Sequence, residues 1–126
     1  MLLHHDLEAW AGRSPDRSAL VCGKNHYSFA EIDARARAVA ALLQSRGVQR
    51  GDRVALYLDN GVDFVAGLYG ALKIGAVFMP INPLTKEDKL AFMLGDARAS
   101  ALLTSGPLRS AWSVAVEQVA SVHTVV

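Results

Sequence analysis

The spacing of apolar positions changes several times along the chain, and each change marks an element. Leu3, Leu7 and Trp10 recur at helical spacing until Gly12 and Pro15 interrupt them, which predicts a short amphipathic helix at the start. Ala19–Cys22 and His26–Ser28 are short β-prone runs on either side of Gly23-Lys24-Asn25, the pattern of a hairpin. A helix is predicted over residues 29–46. Ser28 and Glu31 form a capping box, Tyr27 and Ile32 stand as a hydrophobic staple, and Gly47 supplies the stop. Phe29, Ile32, Ala36, Val39 and Leu43 make its apolar stripe, while Asp33, Arg35, Arg37 and Gln44 are read as its wet side.

Gly51-Asp52 reads as a turn. Val54–Leu58 follows as a nearly continuous apolar run, the signature of a strand covered on both faces. Asn60 is placed to cap a helix over 61–73 with Asp63 in its first turn, and Val77–Ile81 repeats the buried-strand signature. Thr85 is placed to cap a further helix ending at Gly95. Ala101–Thr104 is another short strand, a last helix is predicted from Ser105, and His123–Val126 is one more strand. Strands alternating with helices at this spacing predict an α/β fold: a mostly parallel, doubly wound sheet with flanking helices, plus the short N-terminal hairpin.

Composition narrows the function classes. A chain of 126 residues that is 52% hydrophobic suits one packed core rather than a disordered tail. The 13 Lys and Arg offset 12 Asp and Glu to a formal charge of +1 and are scattered, so no nucleic-acid partner is expected. Cys22 is the single cysteine, and its apolar neighbours suit a core thiol rather than a nucleophile. His4, His5, Asp6 and Glu8 replace the basic and apolar opening of a secretory signal, so the cytoplasm is the expected location. Residues 64–81 are apolar except for Lys73, but Gly67, Gly70, Gly75 and Pro80 are read as breaks, and no membrane span is expected.

Candidate chemistry is sparse. Adjacent His4 and His5 point in different directions on a helix and are read as solvated, and with His26 and His123 they show no metal-ligand spacing. Thr104-Ser105-Gly106-Pro107, a turn between strand and helix, has the outline of a phosphate cradle. It lacks the glycines and the Gly-Lys pair of a P-loop, and an ordinary helix start explains it better. Gly70 to Gly75, with Lys73 between, is no Walker loop either. Tyr57, Asp59 and Asn60 end a buried strand, where doubly wound sheets place ligands, and form the best site hint; a cap and a solvated carboxylate explain them more simply. The residues themselves therefore identify no catalytic, cofactor-binding or metal-ligating group.

Two segments resemble the first blocks of the adenylate-forming superfamily, which includes acyl- and aryl-CoA ligases and peptide-synthetase adenylation domains. One is Tyr27-Ser28-Phe29-Ala30-Glu31-Ile32, followed by the alanine-rich helix and Gly47 to Ala55. The other is Leu72-Lys73-Ile74-Gly75-Ala76-Val77-Phe78-Met79-Pro80-Ile81-Asn82-Pro83, continuing to Leu94-Gly95-Asp96-Ala97-Arg98-Ala99. The resemblance implies that residues 1–126 are the N-terminal part of a large adenylate-forming domain, an incomplete α/β unit of a larger fold. Full-length relatives convert a carboxylic acid and ATP to an acyl-adenylate, with magnesium, and pass the acyl group to a thiol, usually of coenzyme A.

The blocks present here are scaffold. Those that the resemblance assigns to ATP, ribose and the catalytic lysine have no counterpart, so no cofactor and no activity are expected of this chain alone. Ile81-Asn82-Pro83-Leu84-Thr85 is more similar to fatty-acyl or aryl-CoA ligases than to peptide-synthetase domains, which points the parent towards fatty acid metabolism. The alternative is a freestanding non-catalytic α/β interaction module, or one half of a split ligase. A sheet taken from a larger fold is also expected to leave Val54–Leu58, Val77–Ile81 or His123–Val126 partly uncovered. That favours a homodimer, or association through an exposed sheet edge.

Overall fold

The computed structural model describes residues 3–22, 24–59 and 61–126, apart from the side chains of residues 3–5 and 22. The readings of His4 and His5 as solvated, Cys22 as a core thiol, Gly23 as a turn residue and Asn60 as a cap lie outside the described residues. Helix α1 (Leu3–Arg13) leads into an antiparallel hairpin, β1 (Ser18–Cys22) and β2 (Asn25–Ser28), and then into α2 (Phe29–Ser45). The second half alternates β3 (Arg53–Tyr57), α3 (Val62–Lys73), β4 (Val77–Ile81), α4 (Glu87–Ala97), β5 (Ala101–Leu103), α5 (Arg109–Glu117) and β6 (Thr124–Val125). The last four strands form one parallel sheet in the order β4-β3-β5-β6.

Strand alternation divides the core. Val54, Leu56 and Leu58 face α2 and α3 together with Ala101 and Leu103, whereas Ala55, Tyr57 and Leu102 face α4 and α5 through Leu90, Leu94 and Ala115. A third cluster, Leu7, Ile32 and Ala36 with Leu20 and Tyr27, seats α1 and the hairpin on the outside of α2. The α/β expectation is met: a parallel sheet, covered on both sides, beside a short antiparallel ribbon.

Helix ends show why the chain breaks where it does. Ser28 Oγ accepts the Glu31 N–H at 3.1 Å, and the first two amides of α2 donate to the carbonyls of Arg17 and Pro15. At the far end the N–H of Val48 returns to Leu43 O and that of Gly47 to Gln44 O, a Schellman stop with Gly47 at φ 86°. Gly75 at φ 74° ends α3 the same way.

Several sequence expectations are corrected. Helix α4 does not stop at Gly95 but runs to Ala97, where Arg98 takes the left-handed position at φ 51° in a third Schellman stop. Its N-cap is Lys86 rather than Thr85. The last helical stretch does begin after Ser105, its N-cap residue, but as a 3-10 turn, Gly106–Leu108, ahead of α5, and the Ser105 side chain makes no capping bond. Helix α3 has Gly61 as its N-cap, and Gly67 and Gly70 lie inside it rather than breaking it.

The strands also differ from expectation. Val54–Leu58 is central and wholly buried, so it is not one of the uncovered runs. Val77–Ile81 is instead an edge strand, with Val77 51% exposed and Pro80, which has no N–H to offer a ladder, also exposed. Apolar content alone does not distinguish a strand covered on both faces from an edge strand whose outer neighbour is missing.

Candidate functional site

Ligands of open parallel sheets bind beyond the carboxyl ends of the strands, where successive crossovers diverge. Here β3 connects through α3 to β4 on one side, and β4 connects through α4 back past β3 to β5 on the other. The switch point therefore lies between β3 and β5. It brings together the two segments singled out from the sequence: Tyr57-Leu58-Asp59 at the end of β3 and Thr104-Ser105 at the end of β5. Thr104 Oγ1 donates to Tyr57 O at 2.8 Å, pinning the two ends to each other.

Two hollows flank this pair. One of about 240 Å³ is lined by Leu58, Asp59, Gly61, Val62, Asp63 and Ser105. A second, of about 480 Å³, lies between the ends of β3 and β4, walled by Asp59, Phe64, Ile81, Asn82, Pro83 and Leu84. Neither is lined by Lys or Arg, and the smaller carries two carboxylates. That charge disfavours a phosphate.

Part of the backbone of the Thr104–Pro107 turn is engaged. Thr104 N–H donates to Val126 O, and Ser105 O accepts from Leu108 N–H and, at 3.1 Å, from Trp112 Nε1–H. The turn is thus a helix start, as the sequence suggests, with Ser105 at the N-cap position and Pro107 in the first turn. Among the described residues no group of three or more His, Cys, Asp or Glu side chains is arranged to hold a metal ion.

Tyr57 is not a free site residue. Its ring is 1% exposed, and its hydroxyl donates to Thr85 O at 2.6 Å. Burial, and secondarily the charge of Glu87, push its pKa up, so it stays a neutral donor at ordinary pH. An aromatic hydroxyl inside an apolar run implies a buried partner, and that signal was present in the sequence.

Asp33 departs from its predicted place on a wet face. Its side chain is 15% exposed and 2.9 Å from Lys73 Nζ, which also donates to Glu8 Oε1 at 2.7 Å. The approach to Asp33 Oδ1 is an ion pair not aligned as a hydrogen bond. Burial acts to lower the Lys73 pKa, but the two carboxylates outweigh it and hold the value above the usual lysine range. Lys73 therefore ties α1, α2 and α3 together through charge. Its isolation in an otherwise apolar run was the clue, since a half-buried ammonium needs an acid beside it. Arg37 completes the cluster from solvent, 3.4 Å from Asp33. Arg35 lies over the Tyr27 ring at 5.4 Å to the centroid, and also lines a third hollow, of about 320 Å³, that runs between α2 and α3 to the strand ends at Leu58, Leu103 and Thr104.

The family profile described as AMP-binding enzyme matches residues 7–126. The chain is 41% identical over 110 residues to a linear gramicidin synthase of Brevibacillus parabrevis, covering 87% of this chain and 1% of that protein. It is 38% identical over 104 residues to bacitracin synthase 1 of Bacillus licheniformis, covering 82% of this chain and 2% of that protein. The chain thus spans only a few hundredths of the curated relatives it matches.

Among solved structures, an anthranilate CoA ligase in complex with anthranoyl-AMP superposes on all of this chain and 25% of its own, with a TM-score of 0.92 at 23% identity. A Mycobacterium tuberculosis fatty acyl CoA synthetase covers 99% of this chain and 26% of its own, with a TM-score of 0.87 at 29% identity. A nonribosomal peptide synthetase covers 86% and 12%, with a TM-score of 0.82 at 31% identity.

Proposed function

Because the chain belongs to the AMP-binding enzyme family, we propose that it is the N-terminal scaffold portion of the large domain of an ATP-dependent acyl- or aryl-CoA ligase. In this reading the complete enzyme joins a carboxylic acid to AMP from ATP and then transfers the acyl group to a thiol. Residues 1–126 contribute a packed sheet and part of the crevice wall, and no catalytic group. The observation that carries the reading is superposition of nearly the entire chain, 99% of it, on a fatty acyl CoA synthetase at 29% identity. The two carboxylates of the smaller hollow, Asp59 and Asp63, support assigning ATP contacts to other parts of such an enzyme. ATP, magnesium and coenzyme A accordingly belong to the complete ligase.

A second reading rests on sequence identity, which is higher with peptide synthetases and favours an amino acid as the activated carboxylate. Pyrophosphate exchange separates the two. The reading frame that contains this chain is expressed with all downstream sequence and assayed with ATP, magnesium and parallel panels of aryl, fatty and α-amino acids. Exchange with aryl or fatty acids supports the first reading, and exchange confined to amino acids replaces it with the second. No exchange with any acid overturns both and leaves a non-catalytic interaction module or a split-ligase half. The isolated chain is expected to give no exchange, and turnover by it would overturn the scaffold assignment.

A further inference from the structure

The connection between β4 and α4, residues 82–86, forms one wall of the larger hollow at the carboxyl end of the sheet. Its own hydrogen bonds are local: Leu84 N–H donates to Asn82 Oδ1 at 2.9 Å, and Thr85 N–H donates to Asn82 O at 2.9 Å. Leu84 is 85% exposed, so packing does little to fix this turn. The side-chain hydrogen bond that reaches it from the sheet is that of Tyr57, whose ring is locked in the core against Leu90, Leu94 and Leu102.

We propose that the Tyr57 hydroxyl is a latch, a positioning group that holds the 82–86 connection in place as the wall of the hollow between β3 and β4. The ring supplies a rigid post, because its position is set by core packing that the hydroxyl does not influence. The hydroxyl then fixes one carbonyl of a turn whose own hydrogen bonds, among the described residues, run within 82–85. Thr104 works at the other side of the same strand end, donating to the Tyr57 carbonyl and fixing β5 to β3. The two bonds meet at one residue but hold different segments, which makes them separable by substitution.

The test compares Tyr57→Phe with Thr104→Val in the full chain by amide hydrogen exchange. Tyr57→Phe is expected to speed exchange at Leu84 and Thr85 about tenfold, the equilibrium equivalent of losing one buried hydrogen bond. Amides of β3 and β5 keep their protection. Thr104→Val is expected to leave residues 82–86 unchanged. Unchanged exchange at 82–86 in Tyr57→Phe, a uniform rise across the sheet, or equal loosening of the turn by Thr104→Val each overturns the latch.

The positioning role, which rests on the ligase reading, has its own measurement in the complete enzyme. Tyr57→Phe is expected to raise KM for the carboxylic acid about tenfold with kcat within about twofold, because wall placement affects binding before chemistry. Parallel loss in kcat, or no change in KM, overturns that role. The exchange result stands independently of any activity, so failure of the ligase reading and failure of the latch are distinguishable.

Discussion

Gly70 of α3 lies against Val39 of α2 so closely that a β-carbon on the glycine would stand 2.7 Å from Val39 Cγ1 and 3.0 Å from Ala36 O. The two helices meet here on bare backbone. Gly70→Ala is therefore expected to destabilise the chain by about 2 kcal/mol, the range of overpacked cores, because Val39 Cβ, at 2.8 Å, and the Ala36 carbonyl are fixed by the α2 backbone and cannot swing aside. Gly67→Ala meets only the side-chain tips of Leu103 and Leu56, at 3.0 and 3.1 Å, and is expected to cost less. Urea unfolding of the two variants checks the order, and a neutral Gly70→Ala contradicts the close approach.

Lys73 offers a test of the charge cluster. Removing its ammonium in Lys73→Met leaves Asp33 half-buried without its main partner, at a cost of about 2 kcal/mol. Glu8 is 44% exposed at its side chain and loses less hydration on pairing, so Glu8→Gln is expected to have the smaller effect. Pairing Lys73→Met with Asp33→Leu is expected to recover much of the loss, since the largely buried carboxylate at position 33 is then gone as well. A double variant no better than Lys73→Met would show that the pair is not coupled.

Alkaline pH should weaken the fold through two groups acting in the same direction. The folded-state pKa of Lys73 is raised from 10.5, so its stabilising contribution is complete below that value and is lost as pH rises through the folded one. Tyr57 is raised from 10.0, and its contribution as a neutral donor likewise disappears on the alkaline side. Thermal melts from pH 8 to 12 are expected to stay level and then fall above about pH 10, with a shallower fall in Lys73→Met. An identical alkaline slope in that variant would assign the effect elsewhere.

The end of α4 is expected to be improvable at two positions. Gly95 lies in the helix with open space where a β-carbon would go, so Gly95→Ala should stabilise by about 0.5–1 kcal/mol. Arg98 holds φ 51° without being glycine, so Arg98→Gly should stabilise by roughly the same amount by relieving the left-handed strain. Its guanidinium is dispensable if the melting temperature rises. A fall would mean that the arginine side chain matters more than its backbone.

Association is the remaining expectation. Strands β4 and β6 are the two edges of the four-stranded sheet, and Val77 presents apolar surface at one of them. The isolated chain is expected to run as a dimer of twice its 13.5 kDa mass at micromolar concentration, and Val77→Lys to shift it towards monomer by blunting that edge. Light scattering after size exclusion decides, and a monodisperse monomer of the unaltered chain removes the proposal.

Most of the fold was legible from local chemistry. Ser28 with Glu31, the glycine at position 47 and the alternation of apolar strands with capped helices act within a few residues of one another, so sequence by itself determined element types, their order and the α/β class. It also contained the family resemblance and pointed to both halves of the candidate crevice, Tyr57-Asp59 and Thr104-Ser105. What it did not contain was which strand lies beside which. That Val54–Leu58 is central and Val77–Ile81 an edge depends on pairing across the chain, and both runs are equally apolar. The same holds for Asp33, polar by type but drawn inward by Lys73 forty residues later, and for Tyr57, whose hydroxyl finds Thr85 only once β3 and β4 are side by side. Local periodicity reports how a segment prefers to fold; burial, ion pairing and the meeting of two strand ends are decided by surfaces that only the assembled sheet and helices bring within contact distance.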